Sequence, residues 1–211
     1  MISPRRALGL CGLGTALSLA VAILAAGIPP GPTASAVSVS HFVAVHRTGF
    51  AVAAYAGMLT LALGIPYVVG LNRLLRPADE ALAVIAMLGG LATFAVASVS
   101  SSVQGAIAFR AAALHDIAVN TLAWDITSTL GILVYLPAAV MIGAASLTDV
   151  FPRPLRWYGA VTAGLGVVGA LAGVIPSPVL TLPAGAALFL LLVWIVLTSL
   201  LMLLWREDES A

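Results

Sequence analysis

Residues 182–205 read LPAGAALFLLLVWIVLTSLLMLLW, an apolar run without a single charged residue. A helix of about 20 apolar residues is long enough to cross a hydrocarbon core of ~30 Å. The rest of the 211-residue chain has a similar character: 62% of its residues are hydrophobic, 8% are charged and its mean hydropathy is +1.14. Soluble domains carry about 25% charged residues. The sequence therefore predicts an integral membrane protein that crosses the bilayer several times.

The apolar runs are continuous rather than alternating, which predicts helices and not a transmembrane barrel. We expect one domain over residues 1–211, an all-α polytopic bundle of about six transmembrane helices. The expected spans are residues 7–28, 48–71, 81–108, 124–147, 156–175 and 182–205. The first run also resembles a secretory signal, but it is long enough for a full span, and we expect it to be retained.

The distribution of basic residues predicts the orientation of the chain in the membrane. All nine of them are Arg. One predicted side of the membrane receives Arg5, Arg6, Arg73, Arg76, Arg153, Arg156 and Arg206. The opposite side receives only Arg47 and Arg110. Short Arg-rich loops stay in the cytoplasm. The count predicts both termini inside, and we expect a multi-pass protein of a bacterial plasma membrane.

Small residues at helical spacing predict where helices pack closely. Gly169 and Gly173 form a GxxxG pair in the fifth span, and Gly89, Thr93 and Ala97 recur every four residues in the third. In lipid, close approach of backbones at small residues drives helix association. We expect the neighbours to be helices of the same chain, with a second subunit, and hence a homo-oligomer, as the alternative.

Polar side chains concentrate in two predicted outer connections. They are His41, His46 and Arg47 in the first, and Arg110, His115, Asp116, Asn120 and Asp125 in or beside the second. One interpretation is a wet surface that anchors helix ends. A second is a small-molecule or acid–base site, in which Asp125 pairs with Arg47 or Arg110 inside the bundle. A third is a metal site, which the five-residue spacing of His41 and His46 disfavours, and we expect no metal.

The outer half of the third span is rich in serine and contains Gln104. Buried polar groups need partners, so Gln104 predicts either hydrogen bonds between helices or a polar cavity open to the outside. Tyr55, Tyr135 and Asn120 are the side chains that could complete such a cavity.

Several functions have no support in the sequence. Walker A, dinucleotide-binding, H-E-x-x-H and G-x-S-x-G motifs are all absent from the sequence, and we expect no cofactor. There is no basic patch for nucleic acid. No charge lies in the middle of a span, which disfavours an ion-coupled transporter.

Three segments carry a resemblance to a known family. They are His46-Arg47-Thr48-Gly49-Phe50, Asn72-Arg73-Leu74-Leu75-Arg76-Pro77-Ala78-Asp79-Glu80-Ala81-Leu82-Ala83 and Phe151-Pro152-Arg153-Pro154-Leu155-Arg156-Trp157-Tyr158-Gly159. Between Arg47 and Val174 the chain resembles the DUF4386-type family of bacterial membrane proteins. The resemblance implies about six helices and no established activity. It also implies that Asp125 is the counterpart of an Asp common in that family near the start of the fourth span.

We expect a membrane component, surrounded by lipid, that binds a small apolar or lipid-like ligand or a partner helix between its spans. The expected ligand contacts are Arg47, Tyr55, Gln104, Arg110, Asn120 and Tyr135. The alternative is an intramembrane acid–base enzyme of the isoprenoid cyclase or isomerase type, with Asp125 and Asp116 as catalytic acids. A small transporter subunit is the third expectation.

Overall fold

The computed structural model describes residues 4–28, 30–31, 33–114, 116–175 and 177–204, without the side chains of Arg5 and Pro178. His115, Trp205 and Arg206, which enter the sequence predictions, lie outside the described residues. The helices are α1 (Pro4–Ala26), α2 (Ala36–Val45), α3 (Arg47–Leu75), α4 (Glu80–Ala106), α5 (Ala112–Leu114), α6 (Ile117–Leu133), α7 (Tyr135–Ser146), α8 (Arg153–Ala170) and α9 (Pro178–Leu204). A π-helical turn, Ile107–Ala111, joins α4 to α5, and a 3-10 turn, Leu171–Gly173, extends α8.

Within the described residues, six helical segments are long and apolar enough to cross a membrane. They are Arg6–Ala26, Arg47–Leu75, Glu80–Leu114, Ile117–Ser146, Arg153–Gly173 and Val179–Leu204. Their number and order confirm the predicted all-α architecture, and the chain is a multi-pass membrane helical protein. We call the end of the bundle that carries α2 the outer end, after its predicted side. The other end is the Arg-rich end.

The second outer connection differs most from its prediction. The third segment continues to Leu114 and the fourth begins at Ile117, whereas the predicted third span ends at residue 108 and the predicted fourth begins at 124. The connection over residues 109–123 that the predicted span limits leave is therefore wrong, because most of it is helical. Each predicted span was limited to about the helix length that crosses the hydrocarbon core. However, the apolar pattern continues beyond it, and Asp116 caps a new helix immediately after the preceding one ends.

The first outer connection contains a helix that the sequence analysis missed. Ser35 caps α2 by accepting a hydrogen bond from the Ser38 backbone N–H at 3.3 Å. At ten residues, α2 is too short to span a bilayer, so its apolar run was assigned to a connection. Its buried residues, Val39, Ser40 and Val43, recur at helical spacing and turn toward α6 and the end of the third segment.

The six spanning segments form a closed ring. α1 packs against α3, α3 against α4, α4 against α6 and α7, α7 against α8, α8 against α9, and α9 against α1. The largest core cluster lies toward the Arg-rich end and includes the fully buried side chains of Tyr67, Met141 and Trp194. Tyr67 also joins two helices across the ring, because its hydroxyl lies 2.7 Å from Thr198 Oγ1.

Gly169 and Gly89 pack against helix backbones as predicted, whereas Gly173 is exposed and meets only a side chain. A Cβ at Gly169 would lie 2.8 Å from Ala184 Cα on α9, so two helix backbones are in close contact there. A Cβ at Gly173 would lie 3.0 Å from Ile132 Cγ2 on α6. A Cβ at Gly89 would lie 2.7 Å from the backbone nitrogen of Met141. These neighbours belong to the same chain, as expected, and the homo-oligomer stays a prediction.

Candidate functional site

A group of polar side chains lies at the outer end, where α2 packs against α5 and α6 and where α4 ends. We define the outer polar cluster as Ser40, Gln104 and Asn120. Asn120 has no exposed surface, and its Nδ2 donates a hydrogen bond to Ser40 Oγ at 3.0 Å. Thr121 supports the same contact, since its Oγ1 lies 3.4 Å from the Ala36 carbonyl oxygen. Residues 80 positions apart in sequence therefore meet only because α2 folds onto α6.

Two buried acceptors in the outer polar cluster have no hydrogen-bond partner among the described atoms: Asn120 Oδ1 and Gln104 Oε1. The register between α4 and α6 gives their relative height along the bundle. Ser100 Oγ donates to the carbonyl oxygen of Thr127 at 3.4 Å. Gln104 follows Ser100 by one turn toward the outer end, and Asn120 lies two turns from Thr127 in the same direction. The positions of the two residues thus differ by about three residues of helix rise, ~4.5 Å, along the bundle axis.

The surroundings of the cluster are apolar. Val43, Phe50 and Ile107 have no exposed surface and form one hydrophobic cluster with partly buried aromatic residues. The rings of Phe42 and Trp124 pack edge to face at 5.3 Å between centroids. In such an environment of low dielectric constant, an unpaired carbonyl oxygen is costly, and a hydrogen bond to it is strong.

Arg47 has a partner that its sequence position did not predict. Its Nε donates to the carbonyl oxygen of Ala108 at 2.7 Å, within the π-helical turn. A π turn displaces backbone carbonyls from the regular helical pattern, and such turns are frequent at functional sites. Arg47 therefore ties the start of α3 to this turn. Arg110 belongs to the same turn and is exposed.

The histidines show no metal-site geometry within the described residues. His46 Nδ1 lies 3.0 Å from the Phe42 carbonyl oxygen, and the two rings pack with centroids 4.3 Å apart. His41 is exposed on α2. The described part of the chain contains no group of three or more His, Cys, Asp or Glu residues placed to hold a metal ion.

The two candidate catalytic acids lie in different environments. Asp116 is the N-cap of α6, where its Oδ1 accepts from the backbone N–H groups of Ala118 at 2.9 Å and Val119 at 3.1 Å. Asp125 was expected to face the bundle interior, and this expectation is wrong, because its side chain is exposed. Asp125 lies five residues from Asn120, about 140° around the helix at 3.6 residues per turn, so it leaves the face that packs on α2 and α4. The catalytic roles of both acids stay predictions.

The two tyrosines of the predicted cavity are separated from the outer polar cluster. Tyr55 is 70% exposed on α3. Tyr135 is 9% exposed and packs with Ala184 and Ala187 in a cluster formed by α7 and α9. Of the expected ligand contacts, Gln104 and Asn120 lie at similar heights on the packed helices α4 and α6. The structure adds Ser40, which was missed because α2 was missed, although the spacing of Val39, Ser40 and Val43 is typical of a helix.

Comparisons with family models, curated proteins and solved structures give no match to this chain. The resemblance to the DUF4386-type family stays a prediction. The functional argument therefore depends on the geometry of the outer end.

Proposed function

We propose that the outer end of this membrane protein binds a small lipid-like molecule with a neutral hydrogen-bond donor, such as a long-chain alcohol. The observation that supports it is the fully buried Asn120, whose Oδ1 has no partner among the described atoms. Leaving a buried acceptor unpaired costs about 1–3 kcal/mol. A ligand hydroxyl or N–H group that reaches this oxygen removes that cost.

Gln104 favours a bound ligand over a rotated Asn120 amide as the explanation of the unpaired oxygen. Its Oε1 is a second buried acceptor without a partner among the described atoms, about 4.5 Å away along the bundle axis. Rotating the Asn120 amide by 180° would leave its NH₂ group unpaired in place of its oxygen. A donor placed between the two helices serves both residues.

The chemistry of the surroundings favours a neutral ligand with an apolar body. Phe42, Val43 and Trp124 supply apolar and aromatic surface next to the polar group. No charged side chain is buried in the described part of the chain. A charged ligand would need a buried counter-ion. A molecule already dissolved in the bilayer would present its polar group at the level of the outer helix ends.

Binding of an alcohol with a quencher in its chain tests this proposal. The purified protein is titrated with 10-bromodecanol, and its tryptophan fluorescence is measured. The quenching of Trp124 is obtained by subtracting the fluorescence of Trp124→Phe from that of wild type. Saturable quenching is expected, and the methyl ether of the same chain should bind about tenfold more weakly, since it cannot donate. Equal binding of alcohol and ether would contradict the proposal.

A matched pair of variants locates the site. Asn120→Leu combined with Ser40→Ala removes the acceptor and its partner together, so no new unpaired group remains and the protein should fold. This variant should bind the alcohol no better than the ether. Thr129→Val, on an exposed position of the same helix, should leave the preference intact. Retained alcohol preference in the double variant would exclude Asn120 as the binding group.

A further inference from the structure

An apolar groove lies on the outside of the ring between α7 and α8. Its volume is about 390 Å³. It is lined by Leu136, Pro137, Ala139, Val140, Ala163, Gly164 and Val167. Leu136 is 46% exposed and Val167 51% exposed, so the groove opens away from the bundle. A Cβ added at Gly164 would meet no atom within 4 Å, which shows that the floor of the groove has free space.

A line of exposed residues on α8 connects this groove to the Arg-rich end. Arg153, Trp157, Val161 and Gly164 follow one another at spacings of four, four and three, and therefore share a helix face. Trp157 is 65% exposed and Val161 54% exposed. The rise from Arg153 to Gly164 is about 16 Å. Half the hydrocarbon thickness is ~15 Å, so a lipid chain that starts near Arg153 reaches the groove near the bilayer midplane.

The charge at the end of this line has no ion-pair partner among the described residues. Arg156 pairs with Asp149 and also donates from Nε to the Ser146 carbonyl oxygen at 3.2 Å. Arg153 is exposed and forms no ion pair with any described residue. It is also the first residue of α8, where the helix dipole adds positive potential.

We propose that the face formed by Arg153, Trp157 and the groove binds an anionic phospholipid of the leaflet at the Arg-rich end. The guanidinium of Arg153 binds the phosphate, for which its planar geometry is suited. The indole of Trp157 lies at headgroup level, where aromatic rings are enriched. One acyl chain follows Val161 and ends in the groove. A second protein copy fits less well, because a parallel two-fold pairing on this face would bring two unpaired Arg153 side chains together.

Native mass spectrometry of the purified protein tests this site. The protein is incubated with equimolar phosphatidylglycerol and phosphatidylcholine of identical chains, and the retained lipids are counted. One basic residue near the surface gives about a fivefold preference for the anionic lipid. Arg153→Gln should reduce this preference to near unity. Arg73→Gln, an exposed arginine at the same end on α3, is the matched control and should keep the preference.

The groove is tested separately from the charge. Gly164→Leu fills the free space and should lower retention of both lipids while leaving their ratio unchanged. If this variant does not fold, as judged by thermal melting, the Arg153→Gln and Arg73→Gln pair still decides the proposal. Equal retention of the two lipids by wild type would overturn it, and so would equal loss of preference in the two arginine variants. A dimer whose cross-links lie in the groove would also overturn it.

Discussion

The contact between α8 and α9 predicts opposite outcomes for two alanine substitutions on one helix. Gly169 is buried, and a Cβ there would lie 2.8 Å from Ala184 Cα and 3.2 Å from its nitrogen. Backbone atoms cannot rotate away, so Gly169→Ala forces the two helices apart. Gly164, five residues earlier on the same helix, has no atom within 4 Å of an added Cβ. Both variants gain the same helix propensity, about 1 kcal/mol over glycine.

The difference between the two variants therefore isolates the cost of overpacking. Inserting a methyl group into a well-packed interface costs about 1–3 kcal/mol. We expect Gly169→Ala to unfold more easily than Gly164→Ala by about this amount. Reversible unfolding in detergent with increasing dodecyl sulfate, followed by circular dichroism, measures it. Equal midpoints for the two variants would refute the close backbone contact between α8 and α9.

Two further predictions concern the N-terminal cap of α6 and the orientation of the chain in the membrane. Asp116→Ala should lower the free energy of unfolding by about 1 kcal/mol, because it removes the hydrogen bonds to two backbone N–H groups. Asp125→Ala, exposed on the same helix, should change it little, and equal losses in thermal melting would contradict the capping role. In a Cys11→Ala background, an impermeant maleimide should label Ser38→Cys in intact cells but Ala78→Cys only after lysis. The reverse pattern would invert the predicted topology.

The spans and their order follow from the sequence alone. Hydrocarbon offers no hydrogen bonds to the backbone, so an apolar run of sufficient length must become a helix whatever its neighbours are. The packing of Gly169 was also predictable, because close helix contacts in lipid need small residues at a spacing of four. The residues at which the helices end on the outer side were not predictable in this way, since an apolar helix can be longer than the hydrocarbon core is thick. The segment Glu80–Leu114, with 35 residues, is an example.

The outer polar cluster depended on the tertiary structure. Asn120 and Asp125 lie on one helix, and the sequence favoured Asp125 as the inward-facing group because it carries a charge. Helical periodicity places the two on different faces but does not say which face is covered. That was decided by α2, which brings Ser40 onto Asn120 and leaves Asp125 exposed. A contact between residues 80 positions apart depends on the packing of whole helices, and no local pattern in the chain encodes it.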